Sequence, residues 1–559
     1  MSRLTHAMVT LLLIAVPVSA DMSKALDIVP HDTLGFILIN NLSQLSTNVD
    51  NLAKKLKVEE YRSLLDLIHK EMGIGEGLDE KGSALILAIK GKKENSLRQP
   101  IFALPVSDPA KMLAQLGVKN SKERISKGDV APQSGILFSI GGRESDDKIL
   151  KRFPILVARK GDFVLLASLE DRDALEQILD SKQSIVASLE PARKWLDEQD
   201  ICGVCSQHGV KFGIAMMLSG PNGMLGSSTS GQLANMKSTF ADMEKNVKLI
   251  AFGSRIEKEG HARLLTRVYF EPKGSYAAWM AKAQPLVGDI LSRMSDQPYI
   301  VAAIARVSAQ TNFDGLRQVL PEKMPAEEAN NLLEKYRLVM KRISEAGLLV
   351  YKDEADAKST AKDAKDDTRI AFLAKVDDAP AFVQETMQAL LQTHLAMQKY
   401  DACMVEVKTE QKRIADKQSW LITVRTPNAE KKGDSKETTG YTEQTILLTE
   451  IDAQTVLGAV LAHGAGAESL VKSYSQKQAQ PLSANRGVMS TAALLPKDLQ
   501  VAVYVNMAAV MTSKKDTPPL AFAMRTLPAG AEAQFLVPFE ALQAMFDASR
   551  GEKKEKKAK

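Results

Sequence analysis

The chain has 559 residues, 45% of them hydrophobic and 25% charged, enough apolar material to bury several cores without crosslinks. Its 73 basic and 68 acidic residues leave a formal +5, and only 5% of residues are aromatic. Neither a basic groove nor a stacking platform is indicated, which sets nucleic acid aside as a partner.

The first twenty residues, MSRLTHAMVTLLLIAVPVSA, read as a cleavable signal peptide. Arg3 supplies the positive start, residues 9–18 the apolar run, and Val18-Ser19-Ala20 the small residues before Asp21. That run is too short for a membrane helix, which needs about twenty apolar residues. No cysteine follows it, and no later stretch is apolar for long enough, so no integral membrane span is expected. The mature protein is expected to begin near Asp21, after cleavage at Ala20, and to be periplasmic or extracellular.

The body reads as strands followed by amphipathic helices. Residues 34–39 form the first strand candidate, and Leu42, Leu45, Val49 and Leu52 mark a helix after it. Further strands are expected at 84–89, 101–106, 136–140, 155–158 and 163–168, with helices after Asp108 and Glu170. A Gly- and Ser-rich loop at 219–231 precedes a helix at 232–247. Residues 249–256 and 263–270, joined through Gly260, form an antiparallel hairpin. The fold class is α+β: mixed, largely antiparallel sheets covered by helices.

Segments recur in order along the chain. Pro30-His31-Asp32 leads a strand ending at Asn40, and Pro496-Lys497-Asp498 leads one ending at Asn506. A similar strand opens after Pro298. IFALPVSDPAKML from Ile101 matches AFLAKVDDAPAFV from Ala371, aligning Asp108 with Asp378, and FVLLASLEDRDALEQIL from Phe163 resembles TILLTEIDAQTVLGAV from Thr445. The reading is two tandem modules, 21–295 and 296–549, the second with charged loop insertions at 353–368 and 427–442. Residues 550–559, RGEKKEKKAK, form a basic, disordered tail. That tail carries a formal +4, as much as the whole mature chain, so the body between is neutral.

The elements PHDTLGFILIN, IFALPVSDPAKMLAQLG and FVLLASLEDRDALEQIL resemble those of secreted, planctomycete-type bacterial proteins of unknown function. The resemblance covers much of the first module and part of the second. It implies export and supplies no catalytic residue.

The constellation closest to chemistry is Cys202-Gly203-Val204-Cys205, which can be a dithiol redox site or a disulfide in an exported protein. On a strand, however, residues three apart face opposite ways, which favours two buried thiols. His208 and Cys403 could extend the pair toward zinc, but a structural zinc site needs two paired ligand clusters. The histidines His31, His69, His208, His261, His394 and His463 are scattered. Gly73 to Gly77 lacks either phosphate-binding order. His463-Gly464-Ala465-Gly466 has no G-x-S-x-G elbow to partner it. Ser359-Thr360-Ala361-Lys362 falls in a charged loop, and helix capping accounts for Asp108 and Asp378.

These observations point to a non-catalytic binding or envelope-associated protein with no cofactor and no metal. Its partner would be an envelope protein or an acidic polymer, reached through Lys553, Lys554, Lys556, Lys557 and Lys559 as an electrostatic tether. The alternatives are a hydrolase with a dispersed acidic site and a dithiol redox protein. Oligomeric state stays open.

Overall fold

The computed structural model describes residues 22–58, 61, 63–90, 99–119, 122–130, 153–219, 240–296, 299–307, 320–321, 323–352, 368–400, 406–429, 438–462, 466–475, 481–507 and 517–558. The segment read as a signal peptide, the strand expected at 136–140, Cys403, His463 and Lys559 lie outside these residues, as do 220–231 of the Gly- and Ser-rich loop, 232–239 of the helix after it, 353–367 of the first charged insertion and 430–437 of the second. The chain divides into two compact units, Met1–Ala281 with Leu527–Phe539, and Lys282–Thr526 with Glu540–Lys559. The division therefore falls after Ala281 and not near Ser295, and one late segment returns to the first unit.

In the first unit the strands are β1 Gly35–Ile39, β2 Ala84–Ala88, β3 Ile101–Pro105, β4 Ile125–Val130, β5 Phe153–Lys160, β6 Phe163–Ala167, β7 Ile201–Ser206, β8 Val247–Ile256 and β9 Ala262–Phe270. The late strand β19, Gly530–Val537, joins them. They form an antiparallel sheet in the order β4-β5-β6-β3-β2-β1-β7-β8-β9-β19. The helices are α1 Met22–Asp27, α2 Leu42–Lys55, α3 Pro109–Gln115, α4 Arg172–Asp180, α5 Arg193–Asp197, α6 Gln207–Ser219 and α7 Ser275–Met280.

Two-residue periodicity decides which helices cover which face. Phe36 and Leu38 of β1 point into a core shared with Leu87, Ala103 and Leu165, which α1, α4 and α5 close with Leu26, Leu175 and Trp195. Burying each such leucine is worth about 1.5–3 kcal/mol. On the opposite face α2 and α3 cover one side through Leu42 and Met112. α6 and α7 cover the other side through Val210, Ile214 and Ala277. The start of α2 is fixed by Asn41, whose side-chain oxygen accepts the Gln44 N–H at 3.0 Å.

The second unit contains β10 Tyr299–Arg306, β11 Ile343–Lys352, β12 Thr368–Val376, β13 Glu406–Ile414, β14 Lys417–Ala429, β15 Thr438–Asp452, β16 Thr455–Ala462, β17 Leu499–Val505 and β18 Leu520–Leu527. Their order is β13-β14-β15-β16-β12-β11-β10-β17-β18, again antiparallel throughout. The helices are α8 Asp289–Arg293, α9 Ala326–Lys341, α10 Ala379–Tyr400, α11 Ala467–Ser475 and α12 Arg486–Ala493, and α13 Phe539–Ala558 ends the chain. Ile304, Leu349, Leu373, Leu457 and Tyr504 are buried on one face. On the other, Val339 of α9 and Phe382, Val383 and Met387 of α10 pack over Ala374, Leu448 and Val456. Glu345 of β11 is fully buried, and its carboxylate accepts the N–H groups of Val287 at 3.0 Å and Ile290 at 3.4 Å, pinning the entry to α8.

The α+β class expected from the sequence is what the structure has, while three local expectations are corrected. Of the charged segment 427–442, the described residues 427–429 and 438–442 lie in strands, the β14–β15 ladder running on through Pro427 opposite Tyr441 and Ala429 opposite Thr438, and 430–437 lie outside the described residues. A hairpin arm satisfies its backbone across the ladder whatever its side chains are. Residues 550–558 of the tail continue α13 to Ala558, because Glu, Lys and Ala are good helix formers extending a helix already nucleated by the buried Ala541 and Leu542. The match between the segments from Phe163 and Thr445 fails too. The first is β6 followed by α4, and the second is β15 turning directly into β16.

Candidate functional site

Cys202 and Cys205 lie on β7, between β1 and β8. Both are free thiols, so the disulfide alternative is not formed between them. The strand turns them to opposite faces: Cys202 sits in the core with Leu38 and Trp195, and Cys205 packs beside Val210 and Ile250. Burial, and then the Asp197 and Asp200 charges, push the Cys202 thiol far above its ordinary range, and burial raises Cys205 as well. A redox dithiol needs a stabilised thiolate, and both environments act the other way.

His208 is exposed while Cys202 is buried, so the zinc geometry is not assembled. Among the described residues no three His, Cys, Asp or Glu side chains gather as a metal site. His261 accepts the Phe539 N–H at 3.2 Å and His394 Nδ1 meets the Leu390 carbonyl at 2.8 Å, so both are locally satisfied. His69 Nε2 lies 3.4 Å from Glu80 and makes no hydrogen bond among the described residues.

The recurring aspartates are caps, as their sequence setting implied. Asp108 accepts the Lys111 N–H at 3.2 Å at the start of α3, and Asp378 accepts the Ala381 N–H at 3.2 Å at the start of α10. The glycine-rich turn 73–77 touches both ends of α3. Gln115 accepts the N–H groups of Gly75 at 3.0 Å and Glu76 at 2.9 Å. Gly77 has φ +82°, and a Cβ there would lie 2.3 Å from the Asp108 carbonyl. This turn braces a helix and is not arranged around a phosphate.

Two features were not singled out from the sequence. One is a buried polar strip on β9 and β19, where Arg267 Nε donates to Glu532 at 2.6 Å and its guanidinium lies 4.8 Å from the Trp195 ring centre. Beside it the Tyr269 hydroxyl and the Gln534 amide nitrogen have no hydrogen-bond partner among the described residues. Arg267 and Glu532 are 265 residues apart in the chain, so no local pattern marks them.

The other is apolar side chains left open on a sheet face in each unit. Ile37 on β1 is 38% exposed and Phe252 on β8 is 40% exposed, with Gly203 of β7 paired between them. In the second unit Leu348, Ile370 and Val460 are open to a similar degree. There Phe372 of β12 is paired with Leu348 of β11 and with Gly458 of β16. In both units a phenylalanine ring occupies the space beside a strand glycine: a Cβ on Gly203 would meet Phe252 at 1.9 Å, and one on Gly458 would meet Phe372 at 1.8 Å.

Of the tether residues, Lys553, Lys554, Lys556 and Lys557 belong to α13. Arg550, Lys553, Lys554 and Lys557 occupy positions i, i+3, i+4 and i+7, one side of an α-helix, and Glu552, Glu555 and Lys556 fall in the remaining sector. No described helix is long and apolar enough to cross a membrane. Comparison with known proteins finds no protein-family model, no curated protein and no solved structure that matches this chain.

Proposed function

We propose that the mature chain is an exported, envelope-associated binding protein without a catalytic role, held on an acidic polymer by its C-terminal helix. The observation that carries this reading is where the charge sits: a neutral body precedes a +4 segment whose described part continues α13, with four of its basic positions in helical register. The signal peptide supplies the compartment, and the resemblance to exported planctomycete-type proteins agrees with it.

The same reading takes the two units as tandem copies of one α+β module. In the first unit the order β5-β6-β3-β2-β1-β7-β8 threads its strands as β15-β16-β12-β11-β10-β17-β18 does in the second. The matched caps Asp108 and Asp378 follow β3 and β12, which hold equivalent places in that order. A duplicated contact module with a charged anchor suits binding better than turnover.

Fractionation of cells producing the chain with and without residues 550–559 tests this. The full chain should begin at Asp21 and stay with the envelope until washed with salt, and the truncated chain should appear in the soluble exported fraction. Equal retention of the two would overturn the tether.

A further inference from the structure

The sheet of the second unit ends in an edge whose charge pattern reads itself. Among the described strands β13 pairs only with β14, and every residue from 406 to 413 except Val407 is exposed. A strand in that position offers a row of unpaired N–H and C=O groups to another chain. Lysines on such an edge commonly discourage pairing, but here they alternate with glutamates. Glu406, Lys408, Glu410 and Lys412 share one face, as their ion pairs along the strand require: Lys408 to Glu406 at 3.3 Å and Lys412 to Glu410 at 3.8 Å.

We propose that β13 is a homodimerisation edge whose partner is β13 of a second copy of this chain, paired antiparallel about a two-fold axis at Thr409. In that register Glu406 faces Lys412 of the second copy and Lys408 faces its Glu410, and the symmetry repeats both pairs. All four charged positions then meet an opposite charge on the shared face, the arrangement that favours directly opposed cross-strand pairs. The neighbouring registers fail. Moving the axis to Lys408 opposes lysine to lysine, and moving it to Glu410 opposes glutamate to glutamate. An axis between residues would bring opposite faces together, which a two-fold normal to the sheet does not allow. Backbone hydrogen bonds supply the association and the charges fix its register. The surface is separate from the basic helix, so this inference does not depend on the polymer tether.

Sedimentation velocity of the mature full chain at micromolar concentration gives the first test. The wild type should be a dimer, while Lys408→Glu with Lys412→Glu should be monomeric, as should Glu406→Lys with Glu410→Lys. An equimolar mixture of those two variants should recover the dimer, since each edge then meets its complement. Glu406 also contacts Arg425 at 3.4 Å, so a cysteine pair checks the register without changing charge. Residues directly opposed across an antiparallel ladder have Cα atoms about 4.5–5.5 Å apart, within disulfide range. Thr409→Cys should therefore crosslink between copies under mild oxidation, and Gln411→Cys and the wild type should not. A monomeric wild type, a dimer indifferent to both charge reversals, or crosslinking at 411 in preference to 409 would each overturn the proposal.

Discussion

Arg267 and Glu532, 265 residues apart in sequence, meet through a 2.6 Å hydrogen bond that ties β9 to β19. Glu532 is 2% exposed, and Arg267 also lies against the face of Trp195. Breaking a buried ion pair by removing one member costs about 3–5 kcal/mol. Arg267→Ala should therefore lower the thermal midpoint clearly. The double change Arg267→Met with Glu532→Leu should recover much of the loss, because no charge is left unpaired. A double variant as unstable as the single one would contradict this account of the strip.

The two caps give a paired test. Replacing an aspartate N-cap by alanine costs about 1 kcal/mol, and asparagine retains most of the effect. Asp108→Ala and Asp378→Ala should each destabilise by roughly that amount in thermal unfolding, and both asparagine variants should stay near the wild type. An aspartate whose asparagine and alanine variants fell equally would be doing something other than capping.

Glu450 carries a pH signature. Burial first, then the nearby Asp378 charge, hold its carboxyl above the ordinary range, with Lys417 opposing. The folded state thus bears a penalty once the group is ionised in both states, and none when the pH is low enough to protonate it in both. Glu450→Gln should raise the melting temperature at pH 7. The gain over wild type should fade as the pH drops through the raised pKa into the ordinary carboxylate range. A gain that grew on acidification would reverse the assigned sign.

The thiols should behave as core groups. With both pKa values raised, native alkylation should be slow at neutral pH, slowest at Cys202, and should accelerate on unfolding. Timed iodoacetamide labelling with peptide mapping reads this directly. Fast labelling of either residue at pH 7 would reopen a reactive role.

What was legible in the sequence was local. The hairpin through Gly260 announced itself by two apolar runs around a turn, and β8 and β9 pair there. Asp108 and Asp378 could be matched because a strand, a cap and a helix lie within about a dozen residues, a span that local chemistry governs. β13 escaped notice because EVKTEQKRI alternates charge with polarity and has no apolar face to signal a strand. The strand ends at 427–429 and 438–442 lack an apolar signal for the same reason. The basic tail was read as disordered from its charge, although its residues favour helix once a packed turn precedes them. The Arg267–Glu532 pair had no local signal at all, since it exists only after β19 returns to the first unit.

The most direct measurement is retention of the purified mature protein on an immobilised acidic polysaccharide, heparin serving as the probe, across a salt gradient. The account predicts that the full chain binds at low ionic strength and is released as salt screens the contact, and that the chain lacking residues 550–559 passes through unretained. Equal retention of both chains, or passage of both, would contradict the claim that this protein is held in place by its C-terminal helix.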